Sequence, residues 1–227
     1  VPFAATKIQP PRWRLARLPR PQLEGELAQA VAHARVVLLQ APAGFGKTSL
    51  LAAHFSQAVE GTALAWVTLD EDDDPARLFA CLSAALEPLD LPWRTAPEVL
   101  PALAADEGTG VQRAVSELVN ALAGAELTHG VIVLDDLHRV DHGGVFTLLD
   151  RLIEQLPPRW TLVLASRVAP RLPLNRLHVA GELVVIGQDR LRFDAHEAQA
   201  LAAREGAGAQ ADALFARTQG WPAGLRL

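Results

Sequence analysis

The 227-residue sequence contains no methionine, no tyrosine and a single cysteine, Cys81. One cysteine excludes an internal disulfide and a cysteine-based zinc cluster, and its apolar neighbours predict a buried thiol in a reducing compartment. No apolar run approaches the roughly 20 residues needed to cross a bilayer, and the N-terminus lacks the apolar segment of a signal peptide. The sequence therefore predicts a cytoplasmic location and no membrane partner.

The chain also has a small net charge and few lysines. The formal net charge of −5 and the pI near 5.8 provide no overall attraction to nucleic acid or to an anionic membrane. Among 21 basic residues only Lys7 and Lys47 are lysines. We expect a lysine retained in so arginine-rich a chain to stand where arginine would not serve. Because methionine is absent, we also expect the chain to be a fragment of a longer protein.

Short apolar runs typical of buried strands alternate with segments of helical periodicity. Strands are predicted over residues 36–39, 63–69, 131–134, 161–165 and 183–186. Helices are predicted over residues 22–34, 49–59, 75–86, 111–123, 145–156, 195–204 and 210–218. This alternation predicts an α/β fold with a parallel sheet covered by helices on both faces and a ligand crevice at the carboxyl ends of the strands.

Residues 41–48, with the sequence APAGFGKT, lie between a predicted strand and a predicted helix. Gly44 and Gly46 allow successive backbone N–H groups to point at phosphate oxygens, and the N-terminus of the following helix adds positive potential. Lys47 is expected to reach the β- and γ-phosphates and Thr48 to place its hydroxyl on Mg²⁺. The segment predicts a Walker A loop that binds ATP or ADP through Ala43, Gly44, Phe45, Gly46, Lys47, Thr48 and Ser49.

Ala41 departs from this motif, because the general pattern has glycine at its position. The change costs little if Ala41 adopts a negative φ. A glycine-rich turn entering a helix is the structural alternative, but such a turn would not need the Lys47-Thr48 pair.

Residues 131–136, with the sequence VIVLDD, fit a Walker B strand that delivers a carboxylate to its carboxyl end. Asp135 is the expected partner of Mg²⁺ and its waters. Asp136 is then placed to orient or deprotonate an attacking water, as a general base does. The alternative is a plain strand that ends in a turn.

Further charged residues are open to two interpretations. Arg167 follows a predicted strand, so it is either a cation near the γ-phosphate or a solvated loop residue. The N-terminal basic residues either line the nucleotide or are solvated, and we favour solvation for most of them: Lys7, Arg12, Arg14, Arg17 and Arg20. The acidic run of residues 70–74 is explained by capping of the helix that follows it.

Composition divides the chain into three parts. Five prolines within residues 1–25 predict an N-terminal strap with little helix. Residues 26–190 form the predicted P-loop nucleotide-binding domain, and residues 191–227 the beginning of a small helical domain. Residues 91–110 are rich in proline and glycine, and they predict an irregular excursion without an assigned role.

Taken together, these segments resemble the signal-transduction ATPases with numerous domains, and specifically the nucleotide-binding region of MalT-like LuxR-family transcriptional regulators. The likeness covers nearly the whole chain. It is carried by Thr6-Lys7 with Pro10 and Pro11, Arg20-Pro21, Ala41 to Thr48, Ala65 to Asp70, Leu134 to His138, Ser166-Arg167 and Gly220 to Leu225. Alanine at position 41 is itself typical of this family.

The resemblance implies further roles. It implies that Arg167 senses the γ-phosphate, that Pro222 packs on adenine and that Arg20 lies near the nucleotide. It also implies a switch in which ADP holds a closed monomer, whereas ATP and an inducer of unknown identity promote self-association. DNA would be bound only by a C-terminal helix-turn-helix outside these residues.

These observations lead to a slow regulatory ATPase, the switch module of a signal-responsive transcriptional activator, as the first hypothesis. The alternative is a nucleotide-gated scaffold or oligomerisation module that binds nucleotide without hydrolysing it. A small-molecule kinase is disfavoured, because the sequence shows no lid motif and no acceptor-binding residues. The pair Asp135-Asp136 favours the first hypothesis over the second.

Overall fold

The computed structural model describes residues 2–12, 18–56, 62–106 and 109–226. Its strands form one sheet in the order β2-β3-β4-β1-β5, and all neighbouring strands are parallel. The strands are β1 (Val36–Gln40), β2 (Thr62–Thr68), β3 (His129–Asp135), β4 (Trp160–Ser166) and β5 (Leu183–Gly187). The predicted parallel α/β sheet is confirmed.

Helices cover both faces of this sheet. They are α1 (Pro21–His33), α2 (Lys47–Ser56), α3 (Pro75–Leu86), α4 (Leu100–Ala104), α5 (Gly110–Ala123), α6 (Gly143–Gln155), α7 (Asn175–Val179), α8 (Gln188–Leu191), α9 (Ala195–Arg204) and α10 (Ala211–Thr218). Helices α3 to α6 bury their apolar faces in the larger core, and α1 and α2 bury theirs in the core on the opposite face. No helix in the described ranges has the length and apolar character needed to cross a membrane.

Some predicted helix boundaries are wrong, and three short helices were not predicted. The excursion at 91–110 contains α4, and α7 and α8 were not predicted, because helices this short have too little periodicity to detect. Helix α2 begins at Lys47, before the predicted start at residue 49, and the predicted end of that helix, 57–59, lies outside the described residues. Helix α1 begins at Pro21, inside the predicted strap of residues 1–25.

Side-chain caps explain where two of the helices begin. Asp74 accepts a hydrogen bond from the backbone N–H of Arg77 at 2.7 Å, and Pro75 occupies the first helical position of α3. The capping prediction is confirmed for Asp74, but Asp70 and Asp73 form ion pairs with Lys7, so capping does not explain the whole acidic run. Asp194 and Glu197 form a reciprocal capping box at the start of α9.

The C-terminal helices have a small apolar core of their own. Leu18, Ala198, Leu201 and Leu225 are buried together, with Phe193 packed against them. The strap contributes Leu18 to this cluster, whereas its 3₁₀ turn, Ala5–Ile8, packs near β2 on the sheet side. The strap therefore contacts both the sheet and the helical part.

Candidate nucleotide-binding site

The loop between β1 and α2 has the backbone conformation that its glycines predict. Gly44 and Gly46 have φ values of 77° and 79°, in the left-handed region that glycine adopts without steric cost. Among the non-glycine residues of the described ranges, only Asp90, Asp136 and Gln219 have a positive φ, so Ala41 does not adopt one. Alanine is accommodated at the first position of the motif for this reason.

Lys47 lies in the first turn of α2 with its side chain buried in the loop. Its ammonium donates hydrogen bonds to the carbonyls of Ala41, at 2.6 Å, and Pro42, at 3.1 Å. Burial lowers the pKa of Lys47, and the nearby charge of Arg167 lowers it further, whereas Asp136 opposes the shift. The Lys47 ammonium is thus hydrogen-bonded to neutral loop carbonyls, and an anionic phosphate would form stronger, charge-assisted hydrogen bonds with it.

Thr48 and Asp135 meet beside the loop. The Thr48 hydroxyl donates to Oδ1 of Asp135 at 3.1 Å, and the same oxygen accepts the N–H of Asp136 at 3.0 Å. Burial raises the pKa of Asp135 to about 6, despite the Thr48 hydrogen bond. A divalent cation would offset this cost, so the hydroxyl and carboxylate fit the predicted Mg²⁺ ligands.

Other protein ligands for a metal are lacking here. No group of three or more His, Cys, Asp or Glu side chains suited to a metal occurs in the described ranges. A cation held by Thr48 and Asp135 would therefore need phosphate oxygens and water to complete its shell, which is the way that Mg²⁺ is bound beside nucleotides.

Asp136 follows β3 in a left-handed conformation, with φ 57° and ψ 34°. A non-glycine residue in this region carries a conformational cost of order 1 kcal/mol. The conformation turns the chain into a 3₁₀ turn, Leu137–Arg139, and the Asp136 side chain is 32% exposed and lines the cavity. The carboxylate is therefore open to water, unlike that of Asp135.

Arg167 follows β4 and lines the same cavity. Its side chain is exposed and makes no hydrogen bond or ion pair within the described part of the chain. The parallel pairing of β4 with both β1 and β3 brings it to the sheet edge that carries the loop and the acidic pair. A cation without a protein partner at this edge is available to an anionic ligand.

The turn Gly220–Gly224 lies directly on the phosphate loop. The indole nitrogen of Trp221 donates to the carbonyl of Ala43 at 3.0 Å, and the N–H of Ala223 donates to the carbonyl of Gly44 at 3.0 Å. Pro222, between these two donors, lines the cavity. Sequence reasoning missed the contacts of Trp221 and Ala223, although both belong to the motif that singled out Pro222.

Glycine is required at two points of this contact. A Cβ on Gly44 would lie 2.6 Å from Cβ of Ala223 and 2.7 Å from the indole nitrogen of Trp221. A Cβ on Gly220 would lie 2.2 Å from the carbonyl oxygen of Phe193. A side chain at Gly44 would collide with the turn, and one at Gly220 would collide with the backbone of Phe193.

Arg20 also lines the cavity, but its guanidinium forms its hydrogen bonds and its ion pair with residues of the helical part. It donates to the carbonyls of Leu191, at 2.8 Å, and Arg192, at 2.5 Å, forms an ion pair with Glu197 and lies 4.7 Å from the ring centre of Phe193. The family resemblance implied a position near the nucleotide for Arg20, but nothing in the sequence indicated its contact with the distant Glu197.

The expected solvation of the basic cluster is wrong for Lys7, which is buried against Asp70 and Asp73. Arg12 is exposed and lines the cavity. Arg14 and Arg17 lie outside the described residues. The cluster is thus not one surface, because its members face different partners.

These elements line an open cavity of about 980 Å³. Residues 43–49, Asp136 and Arg167 line its polar end, and the remainder is mainly apolar, with Leu23, Leu191, Phe193 and Pro222 among its walls. Cavities of this size accommodate ligands of nucleotide size. The strap, the sheet domain and the helical part all contribute to the lining.

A parallel sheet with this loop after β1 and this acidic pair at the end of β3 defines a P-loop nucleoside triphosphatase fold. The chain belongs to the AAA ATPase domain family, which it matches over residues 20–165.

Two kinds of curated relative share sequence with it. Serine/threonine-protein kinase PknK of Mycobacterium tuberculosis is 33% identical over 233 residues, covering 100% of this chain and 20% of that protein. HTH-type transcriptional regulator MalT of Yersinia pestis is 29% identical over 171 residues, covering 75% of this chain and 18% of that protein. The predicted relationship to MalT-like regulators is confirmed. The chain spans about a fifth of the length of these relatives.

Solved structures show the same fold. A Walker-type ATPase of Pyrococcus abyssi superposes with a TM-score of 0.52 at 14% identity, covering 91% of this chain and 65% of that chain. Cdc6p of Pyrobaculum aerophilum superposes with a TM-score of 0.55 at 16% identity, covering 89% of this chain and 52% of that chain.

Proposed function

We propose that this chain is a nucleotide-dependent switch module that binds ATP or ADP with Mg²⁺ and hydrolyses ATP slowly. The observation that carries the proposal is the contact of the Gly220–Gly224 turn with the phosphate loop. The sheet domain and the helical part both line the cavity beside this contact. A ligand in that cavity would touch the sheet domain and the helical part at once. Binding can therefore bias their relative orientation.

The polar end of the cavity suits a triphosphate. The N–H groups of residues 43–49 and the start of α2 favour anions, and the Lys47 ammonium would exchange two loop carbonyls for phosphate oxygens. Arg167 would add a second positive charge from the end of β4 and distinguish ATP from ADP through the γ-phosphate. Pro222 and the neighbouring apolar walls would receive the base, with Arg20 holding that wall in place.

Thr48 and Asp135 would hold Mg²⁺, which when bound neutralises charge on the phosphates. Asp136 is the better candidate for the water-directed role, because its side chain is partly exposed to the cavity whereas Asp135 is buried. A single carboxylate that orients water, without further activation, is consistent with slow turnover.

The switch would operate within a longer protein of the signal-transduction ATPase class. Similarity to the regulator MalT supports a role in signal-responsive transcription in the cytoplasm, with an inducer and DNA bound by other regions and self-association on activation. ADP would favour the closed contact between turn and loop. ATP and inducer together would release it.

Single-turnover hydrolysis by the chain tests the proposal. Bound ATP should yield inorganic phosphate slowly in the presence of Mg²⁺, and ATP and ADP should compete for one site. Binding without any phosphate release over hours, in this chain and in longer oligomer-competent forms, would establish the scaffold instead. Absence of nucleotide binding by calorimetry would refute both forms of the proposal.

A further inference from the structure

A group of buried charges lies where the N-terminal strap meets the turn after β2. Lys7 Nζ is 2.7 Å from Oδ2 of Asp70 and 2.7 Å from Oδ2 of Asp73. The Lys7 side chain is 6% exposed and that of Asp73 is completely buried. Asp73 Oδ2 also accepts the N–H of Asp70 at 2.7 Å, so one carboxylate oxygen joins the strap to the turn.

The charges in this group nearly balance. Arg77 approaches Asp70 and Asp73, each at 3.6 Å, and Asp72 at 3.5 Å at the exposed side. Burial would raise the pKa of Asp70, but the hydrogen bond and charge of Lys7 and the charge of Arg77 outweigh it and lower the pKa. Removing Lys7 would leave the charge of the buried Asp73 carboxylate poorly compensated, which would destabilise the fold.

The strap is held at its other end by a second buried cation. Arg20 is bonded to the carbonyls of Leu191 and Arg192 and to Glu197, all in the helical part. Lys7 is bonded to the sheet domain. Between the two anchors, residues 9–12 and Leu18 line the cavity, and residues 13–17 lie outside the described part of the chain.

Residues 9–12 line the cavity, and Arg12 is the one charged residue among them. They have the sequence QPPR, and two prolines in succession restrict the backbone to extended conformations. A segment without regular hydrogen bonding depends on its ends for its position. Lys7 lies two residues before this wall, with only Ile8 between them, so its ion pairs determine where the wall begins.

We propose that Lys7 is a positioning residue of the nucleotide site, whose ion pairs with Asp70 and Asp73 hold residues 9–12 against the nucleoside part of a bound nucleotide. The inference rests on the proposed nucleotide-binding function. It assigns Lys7, the lysine outside the phosphate loop, a role in ligand selectivity. Lys7 would act through the strap and without contact with the phosphates.

The two parts of the ligand can be tested separately. Inorganic triphosphate occupies the phosphate loop but has no nucleoside to contact residues 9–12. A variant that loses only the strap wall should therefore bind ATP less tightly and triphosphate as before. A general loss of structure would weaken both ligands, or would lower thermal stability without changing the ratio of the two affinities.

The experiment compares Lys7→Met with Lys7→Met/Asp73→Asn by calorimetry, using ATP and inorganic triphosphate as probes. The double variant leaves no uncompensated charge at the buried Asp73 position, so it is expected to fold. ATP affinity should fall about 10-fold, the effect of losing one ordered contact, and triphosphate affinity should stay within about twofold. Arg176→Met is the matched control, because Arg176 also bridges two carboxylates, Asp150 and Glu154, but on the exposed surface.

Unchanged ATP affinity in a folded variant would overturn the inference, and so would equal weakening of both ligands. Failure of the wild-type chain to bind ATP would instead refute the proposed function. A measurement on the wild-type chain adds a test that needs no variant. Hydrogen exchange at the Gln9 and Arg12 amides should slow more with ATP than with triphosphate, and equal exchange with the two ligands would also overturn the inference.

Discussion

The indole nitrogen of Trp221 donates a hydrogen bond to the carbonyl of Ala43 across the boundary between the helical part and the phosphate loop, at 3.0 Å. The adjacent bond from Ala223 to Gly44 reinforces it. Because the loop is where phosphates are proposed to bind, a rearrangement of its peptides on ligand binding would be transmitted to this turn through these two hydrogen bonds.

Trp221→Phe tests this contact directly. The substitution keeps an aromatic ring but removes the donor, and the loss of one hydrogen bond should weaken the closed contact by about 1 kcal/mol. Hydrogen exchange at the Ala223 amide should become several-fold faster without nucleotide. Trp93→Phe is the control, since the indole of Trp93 makes no hydrogen bond in the described ranges; equal effects of both variants would contradict the prediction.

Gly44→Ala and Gly46→Ala separate backbone strain from the turn contact. Both positions have similar positive φ, so alanine at either one should cost about 1–2 kcal/mol. Only at Gly44 would the new Cβ meet Ala223 and Trp221, whereas the space around Gly46 is open. Thermal denaturation should show the larger loss for Gly44→Ala, and Trp221 fluorescence should change only in that variant. Equal stability losses and unchanged fluorescence would argue against the contact.

Lys47→Ala should reduce affinity for ATP and ADP by about 10- to 100-fold, because a charged hydrogen-bond donor to phosphate is lost. Lys47→Arg should also bind weakly, since the 7% exposed side chain lies among loop carbonyls with little room for a guanidinium. Calorimetry measures both. Unchanged affinity in the alanine variant would remove Lys47 from the site, and full affinity in the arginine variant would refute the argument from lysine scarcity.

Asp136→Asn should retain nucleotide binding and lower single-turnover hydrolysis by about 100-fold or more, the contribution typical of a carboxylate that directs water. Asp141→Asn is the control, because Asp141 is exposed on the segment that follows and, among the residues that the structure describes, forms an ion pair only with Arg171. Wild-type hydrolysis in Asp136→Asn would exclude the residue from the mechanism.

Cys81 should resist aqueous thiol reagents at about pH 8 while the chain is folded and react fully in denaturant. Burial, with a smaller contribution from Asp73, raises the pKa of its thiol from 9.0 to about 12. Between these values the unfolded thiol loses its proton and the folded thiol keeps it. The free energy of unfolding should therefore fall as pH rises through this window.

Chemical denaturation near pH 8 and pH 10, in wild type and Cys81→Ala, measures that effect. The decrease between the two pH values should be smaller in the variant, because the group with the shifted pKa is gone. The same decrease in both proteins would show that other groups are responsible.

The phosphate loop and the acidic pair could be predicted because each is a short contiguous segment. Gly44, Gly46, Lys47 and Thr48 lie together in sequence, and the transition from strand to helix around them is local. The buried runs that became β1 to β5 were equally recognisable from their apolar residues. Short helices such as α4, α7 and α8 were missed, because tertiary contacts stabilise them more than their own periodicity does.

Ion pairs between distant segments could not be predicted in this way. Lys7 and Arg20 were placed in one basic cluster, for which solvation was favoured, but their acidic partners are 66 and 177 residues away. Only the folded chain shows that the first cation is bound to the turn after β2 and the second to α9. Charge in a sequence does not specify which opposite charge it will meet.

The sequence alone determined the parallel α/β fold and the loop, hydroxyl and carboxylates at the carboxyl edge of the sheet, because these depend on local spacing and apolar pattern. Only the tertiary structure decided that Trp221 and Ala223 would close on that loop and that Lys7 and Arg20 would hold the strap between two bodies. Those contacts arise from packing of segments far apart in the chain. Their partners become neighbours only after the strands have assembled in the order β2-β3-β4-β1-β5 and the helical part has packed beside them.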